Sequence, residues 1–185
     1  MFVSICKFKK YKVVRENVSI SKIKNKINMI FGSKKKKTAK GIQQAISDIA
    51  NDVNLRSKCS DMTNNKIAAS YLFTEVMIQR INTLLFIIDI KFRKEYDWAS
   101  WEFVYGNIKT ALVSSFGNED FYDLLMKGIV RLEEMGGTGH ERLINKYKNS
   151  TELVKQHDNE LNEENTTKFI EEDIKSFVLG LGKYF

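Results

Sequence analysis

The chain has 185 residues, 43% of them hydrophobic, 29% charged and 11% aromatic, with a net charge of +7, two cysteines and no proline. Average usage would place about nine prolines in such a chain, so proline-rich linkers, polyproline ligands and proline-punctuated β-sandwich turns are excluded and long helices favoured. That apolar content rules out a wholly disordered chain, and the length fits one ordinary domain with at most an appendage.

The charge is not evenly spread. Residues 1–40 carry thirteen cations against the single acid Glu16, a charge of +12, whereas residues 41–185 sum to −5. This divides the chain into a basic arm with its linker, residues 1–40, and a body, residues 41–185. A local field of one sign attracts polyanions and steers their encounter. The expected contacts are Lys7, Lys9, Lys10, Lys12, Lys22, Lys24, Lys26, Lys34, Lys35, Lys36 and Lys37. Lysine outnumbers arginine 24 to 6 over the whole chain, which favours sequence-independent contact, because an ammonium is a point charge and lacks the bidentate fork that reads base edges. The lysine excess also fits an AT-rich coding bias, but such a bias does not segregate the charge.

Within the arm, residues 2–14 mix apolar and basic residues without a clean period. From Ser19 the apolar residues Ile20, Ile23, Ile27 and Ile30 share one helical face, with Lys22, Lys24 and Lys26 off it and Gly32 as a stop. This predicts a short basic amphipathic helix. No secretory signal is expected, because Lys7, Lys9, Lys10 and Lys12 interrupt any apolar stretch at once.

The body opens with a helix from Gly41 on which Ile42, Ala45, Ile46, Ile49, Ala50 and Val53 form one face. A polar, cap-rich stretch at Ser57–Asn65 leads into a long helix from Ile67 to Ile88, apolar over so much of its circumference that it should be the centre of a bundle. Its longest apolar run, Thr83–Ile90, is broken by Asp89 and is too short to be read as a membrane span. A third body helix is expected from Asp97 to Phe116, with the stripe Trp98, Trp101 and Tyr105 read as core, and a fourth from Asn118 to the Gly136-Gly137 stop. Thr138 with Glu141 has the form of a capping box for a fifth, running through Val154. The polar stretch Asp158–Thr166 precedes a sixth, with Phe169, Ile170, Ile174, Phe177, Val178 and Leu181. The predicted fold is all-α: a bundle of five or six helices with a basic N-terminal arm containing a short amphipathic helix.

Catalytic chemistry finds little support. The string Gly136-Gly137-Thr138-Gly139-His140-Glu141-Arg142 is a glycine-rich turn entering a helix, where free N–H groups with Arg142 would suit an anion. Gly137, Thr138, Gly139, His140 and Arg142 therefore form a possible anion or ligand loop. It lacks the Gly-Lys-Ser/Thr ending of a P-loop, and a helix–helix turn explains it as well. His140-Glu141 begins like a zinc-protease motif, but Ile144 stands where the second histidine belongs; His157 would lie about 25 Å away along one helix. The close Arg–His pair of helical nucleases is missing too, since Arg131 precedes His140 by nine positions and Arg142 precedes His157 by fifteen. Acid runs such as Glu133-Glu134, Glu163-Glu164 and Glu171-Glu172-Asp173 read as solvated helix surface.

No catalytic residue, metal site or cofactor is predicted. Cys6 and Cys59 suit neither a disulfide framework nor a metal and imply a cytoplasmic setting. The expected function is a non-enzymatic binding or regulatory protein: a helical scaffold for a protein partner or self-association, whose arm contacts nucleic acid. Two alternatives stand beside it: peripheral attachment to an anionic membrane through the amphipathic helix, with Cys6 as an acylation point, and a small helical hydrolase or nuclease using the His140 region.

Overall fold

The structure is a computed structural model that describes residues 40–92, 110, 111, 113, 114 and 119–184. The chain divides between Lys34 and Lys35, and every described residue belongs to the second unit. Residues 1–39 of the arm, its amphipathic helix and most of the Asp97–Phe116 helix lie outside the described residues; Lys40 is helical, as are residues 110, 111, 113 and 114. The described part is 85% helical and contains no strand, an all-α bundle.

The described part opens with helix α1, residues 40–50. Ile42, Ala45, Ile46, Ile49 and Ala50 are buried, the face expected from their spacing. Val53 does not continue that face. It is 73% exposed and begins a separate helix, α2 (Val53–Asp61), whose N-terminus Asp52 caps by accepting from the Leu55 N–H at 2.9 Å. Helix α2 runs into the polar, cap-rich stretch expected from Ser57, because Leu55 and Cys59, four residues apart, give it a narrow apolar stripe to bury. Arg56 lies over the Phe73 ring with its guanidinium carbon 4.2 Å from the centroid.

The long helix α3 (Lys66–Phe92) starts at Asn65, whose side-chain oxygen accepts from the N–H groups of Ile67 and Ala68. Residues 75–82 are buried on every side, as befits the central helix of a bundle. Over Lys66–Ile90 it is long and apolar enough, by length and composition, to cross a membrane, a test that a bundle's core helix also passes. Glu75 and Arg80, ion-paired inside this bundle, favour the core reading.

Three more helices surround α3 together with α2: α4 (Glu119–Glu134), α5 (Gly139–Lys155) and α6 (Glu163–Gly180). Arg131 of α4 meets Glu75, and Gly128 of α4 meets Ile78 further along α3, so the two helices run antiparallel. Tyr71 stacks on His157 at 3.7 Å while Asn82 meets Lys146, so α5 is antiparallel to α3 as well. Thr151 bonds Thr167, and Lys155 pairs with Glu163, placing α6 antiparallel to α5 and hence along the direction of α3. Helix α6 starts inside the polar stretch Asp158–Thr166, because Asn162 caps it by accepting from the Asn165 N–H at 2.9 Å. A 3-10 turn, Leu181–Lys183, closes the described chain and ties back to α1: Lys183 pairs with Asp48 at 3.3 Å and the Tyr184 hydroxyl donates to the same carboxylate.

Candidate functional site

A helix buried all round should be apolar all round, yet α3 carries four buried polar residues, Glu75, Gln79, Arg80 and Asn82. Each must find a partner inside the bundle, since an unsatisfied buried polar group costs about 1–3 kcal/mol. Glu75, Gln79 and Asn82 stand at i, i+4 and i+7 and share the face towards α5. Arg80 leaves α3 on another side, towards α2 and α6.

The first cluster is a chain of hydrogen bonds. Arg131 grips Glu75 with both terminal nitrogens, Nη1 to Oε1 at 3.1 Å and Nη2 to Oε2 at 2.5 Å. The Ser150 hydroxyl donates to Glu75 Oε2 at 2.7 Å, and Gln79 Nε2 donates to Ser150 Oγ at 2.9 Å and to the Lys146 carbonyl at 3.0 Å. Lys146 in turn donates to Asn82 Oδ1 at 2.9 Å. Burial and the neighbouring Arg142 guanidinium push the Lys146 pKa below that of an ordinary lysine, with Glu133 opposing.

The second cluster centres on Arg80. Its Nε and Nη2 donate to the two oxygens of Asp173, at 2.7 and 2.6 Å, and its Nη1 donates to Asp52 Oδ2 at 2.8 Å. The guanidinium also lies over the Phe177 ring at 5.5 Å. Burial works to raise the Asp52 pKa, but the Arg80 and Leu55 hydrogen bonds overcome it and hold the carboxyl below its ordinary value. Cys59 sits beside this cluster, and burial together with the Asp173 charge pushes its thiol up to about 12.

Ser150 with Glu75 has the outline of a hydroxyl nucleophile and a base, but the chemistry stops there. Ser150 is fully buried, and Glu75 Oε2 already takes Arg131 and Ser150. No substrate reaches the oxygen without parting α3 from α5. Both clusters act as braces that fix how α2, α4, α5 and α6 sit on α3. No group of three or more His, Cys, Asp or Glu residues suited to a metal occurs among the described residues.

Lys7, Lys9, Lys10, Lys12, Lys22, Lys24, Lys26, Lys34, Lys35, Lys36 and Lys37 all lie outside the described residues, as do the Trp98, Trp101 and Tyr105 stripe and Cys6. The glycine-rich string forms the α4–α5 turn. Gly137 and Gly139 have φ of 102° and 53°, left-handed values that favour glycine. Thr138 is extended and makes no side-chain cap bond, so the expected capping box does not form. Arg142 does the closing instead: its Nη2 donates to the Glu133 carbonyl at the end of α4, and Asn145 reaches the Gly136 carbonyl at 3.5 Å. His140 is exposed in the first turn of α5, whereas His157 lies just past that helix's other end.

The acids of the Glu171-Glu172-Asp173 run part company: Glu172 is exposed, whereas the Asp173 side chain is 7% exposed and clamped by Arg80. Its spacing from Ile170 and Phe177, three and four residues, places it on the buried stripe of α6. Compared with known proteins, the chain matches no family model, no curated protein and no solved structure.

Proposed function

We propose that the chain is a non-enzymatic binding or regulatory protein of the cytoplasm. Its helical body serves as a scaffold for a protein partner or for self-association, and its basic arm contacts a polyanion, nucleic acid in the first place. The observation that carries this reading is the segregation of charge, +12 in residues 1–40 against −5 in the rest. The braces within the body are consistent with it: Arg80 pairs with Asp52 and Asp173, and Arg131 with Glu75, so these buried charges serve the body's own packing.

A gel-shift titration across salt tests the proposal. The full chain should bind duplex DNA with log K falling linearly against log salt, at about −0.9 per phosphate neutralised. Replacing Lys34, Lys35, Lys36 and Lys37 by glutamine should flatten that slope. Binding that ignores both salt and these substitutions would refute it.

A second reading, attachment to an anionic membrane, rests on the Ile20, Ile23, Ile27 and Ile30 face flanked by lysines, with Cys6 nearby. Liposome flotation with anionic lipid decides it, and a chain that stays in the soluble fraction rejects it. The hydrolase reading has less to stand on, because the Arg142 guanidinium beside His140 is engaged by the Glu133 carbonyl. Any hydrolytic activity that survives His140→Ala removes that residue from the reaction.

A further inference from the structure

The cations at the seams of the bundle are not treated alike. Arg80 meets the carboxylates of Asp52 and Asp173, and Arg131 meets that of Glu75. Arg142 and Lys146 meet neutral oxygens instead: Arg142 Nη2 donates to the Glu133 carbonyl, and Lys146 Nζ donates to the Asn82 side-chain oxygen at 2.9 Å. Among the described residues no ion pair reaches either of them. They stand four residues apart on α5, where side chains are neighbours and like charges repel. Lys146 is half-buried and well fixed, since Gln79 of α3 donates to its carbonyl at 3.0 Å and Asn82 is itself buried.

We infer that Lys146 is a nucleophilic amine that takes the acyl group of a small acyl phosphate, with the Arg142 guanidinium receiving the phosphate. The site lies wholly within the body and needs neither the arm nor nucleic acid. An amine attacks only once it has shed its third proton. Burial of Nζ and the charge of Arg142 one turn away both favour that neutral form and outweigh Glu133, the one acid acting on Nζ, which is exposed. Desolvation and a second cation are the conditions that activate a lysine nucleophile. In the neutral amine one N–H serves Asn82 Oδ1 and the lone pair is left for attack. The lone pair forms the C–N bond to the acyl carbon, the bond from that carbon to the phosphate oxygen breaks, and one amine proton leaves with the phosphate. Amine and acyl phosphate dianion thus give an amide and hydrogen phosphate dianion. The Glu133 carbonyl does not exhaust the Arg142 donors, because Nε has no acceptor in the bundle, and a guanidinium binds phosphate through charge-assisted hydrogen bonds.

Site-resolved acetylation of the unaltered full chain tests this, with exposed Lys148 on the same helix as internal standard. The chain meets acetyl phosphate briefly at pH 7, is then unfolded, and its remaining amines are blocked with deuterated acetic anhydride, so that mass spectrometry reads the occupancy of each lysine. Lys146 should react at least about threefold faster than Lys148. The ratio should fall towards pH 10, where an ordinary lysine also sheds its proton. Phenyl acetate, which brings no phosphate to Arg142, should show a smaller preference. Arg142→Gln should bring the acetyl phosphate ratio to about one, and Asn82→Asp, which supplies the missing carboxylate, should do the same with Arg142 in place. Circular dichroism and the urea midpoint establish that each variant is folded, and the pH profile of the parent needs no variant. If Lys146 of the parent reacts no faster than Lys148 at pH 7, or if its preference survives Arg142→Gln in a folded chain, the inference is overturned, while the reading of the arm stands apart from either result.

Discussion

Arg80 holds Asp173 by both edges of its guanidinium, Nε at 2.7 Å and Nη2 at 2.6 Å, across 93 positions of sequence. Side-on pairing of this kind needs a planar fork, which a lysine ammonium lacks. The side chains are 11% and 7% exposed, so little water is available to replace a lost partner.

Removing the carboxylate should therefore be costly. Breaking a buried pair typically destabilises by 3–5 kcal/mol, and because Arg80 keeps Asp52, Asp173→Ala should fall at the lower end, about 3 kcal/mol. Urea denaturation measures it. A loss below about 1 kcal/mol would mean that the guanidinium is hydrated and that the clamp does not hold α6 on α3. Arg80→Lys should cost nearly as much, since it keeps the charge and loses the fork.

Asp52 does two things with two oxygens: Oδ1 caps α2 and Oδ2 meets Arg80. Asparagine is an equally good cap, so Asp52→Asn isolates the charge. The folded pKa of Asp52 lies below its ordinary 3.8. The stabilisation linked to that shift is therefore present above about pH 5 and lost as pH falls through 3.8 and below. The stability difference between parent and variant should be about 1–2 kcal/mol at pH 7, less than for a pair left with no second partner. It should shrink towards pH 3. A difference that stays constant with pH would show that the ion pair contributes nothing beyond the cap.

Gly128 lets α4 approach α3 closely. A Cβ there would stand 2.6 Å from Ile78 Cδ1 and 3.0 Å from its Cγ2, in a side chain that is 2% exposed. Gly128→Ala should destabilise by about 1–3 kcal/mol, the usual cost of overpacking, despite alanine's better helix propensity. Ile78→Val removes the nearest atom, so the double variant should recover part of the loss, read as a coupling energy in a double-mutant cycle. Simple additivity would place the strain elsewhere.

Cys59 is buried, and its thiol is pushed up to about 12. At pH 8 only about one thiol in ten thousand is ionised, and only the thiolate reacts. In a Cys6→Ser background, iodoacetamide should leave the folded chain unmodified over hours and label it rapidly in urea. Fast labelling without denaturant would reveal frequent opening between α2 and α3.

Much of the bundle is legible in the sequence, because long helices repeat their apolar face often enough to be unmistakable. Ala68, Leu72, Val76 and Ile81 mark α3, and Leu125, Ile129 and Leu132 mark α4. Helix α2 escapes such reading because nine residues allow only two turns, and only Leu55 and Cys59 show which side is buried. The braces escape it for another reason. Asp173 stands among Glu171 and Glu172 like any solvated acid, and its partner's identity depends on how α3 and α6 are placed in space. The α4–α5 turn is legible from its glycines, but Arg142 closing it is not, because Thr138 and Glu141 spell a cap that the extended Thr138 does not make.

The span of the Arg80 clamp also bears on synthesis. Chains emerge from the ribosome N-terminal end first, at about 5–20 residues per second. Helix α3, with Arg80 and Glu75 on it, is thus complete while their partners on α4, α5 and α6 are still unmade. For several seconds the nascent chain presents a 27-residue apolar helix on which Glu75 has no mate and Arg80 has only Asp52. Burying those charges before Arg131 and Asp173 exist is costly, which favours compaction once the last helix has emerged.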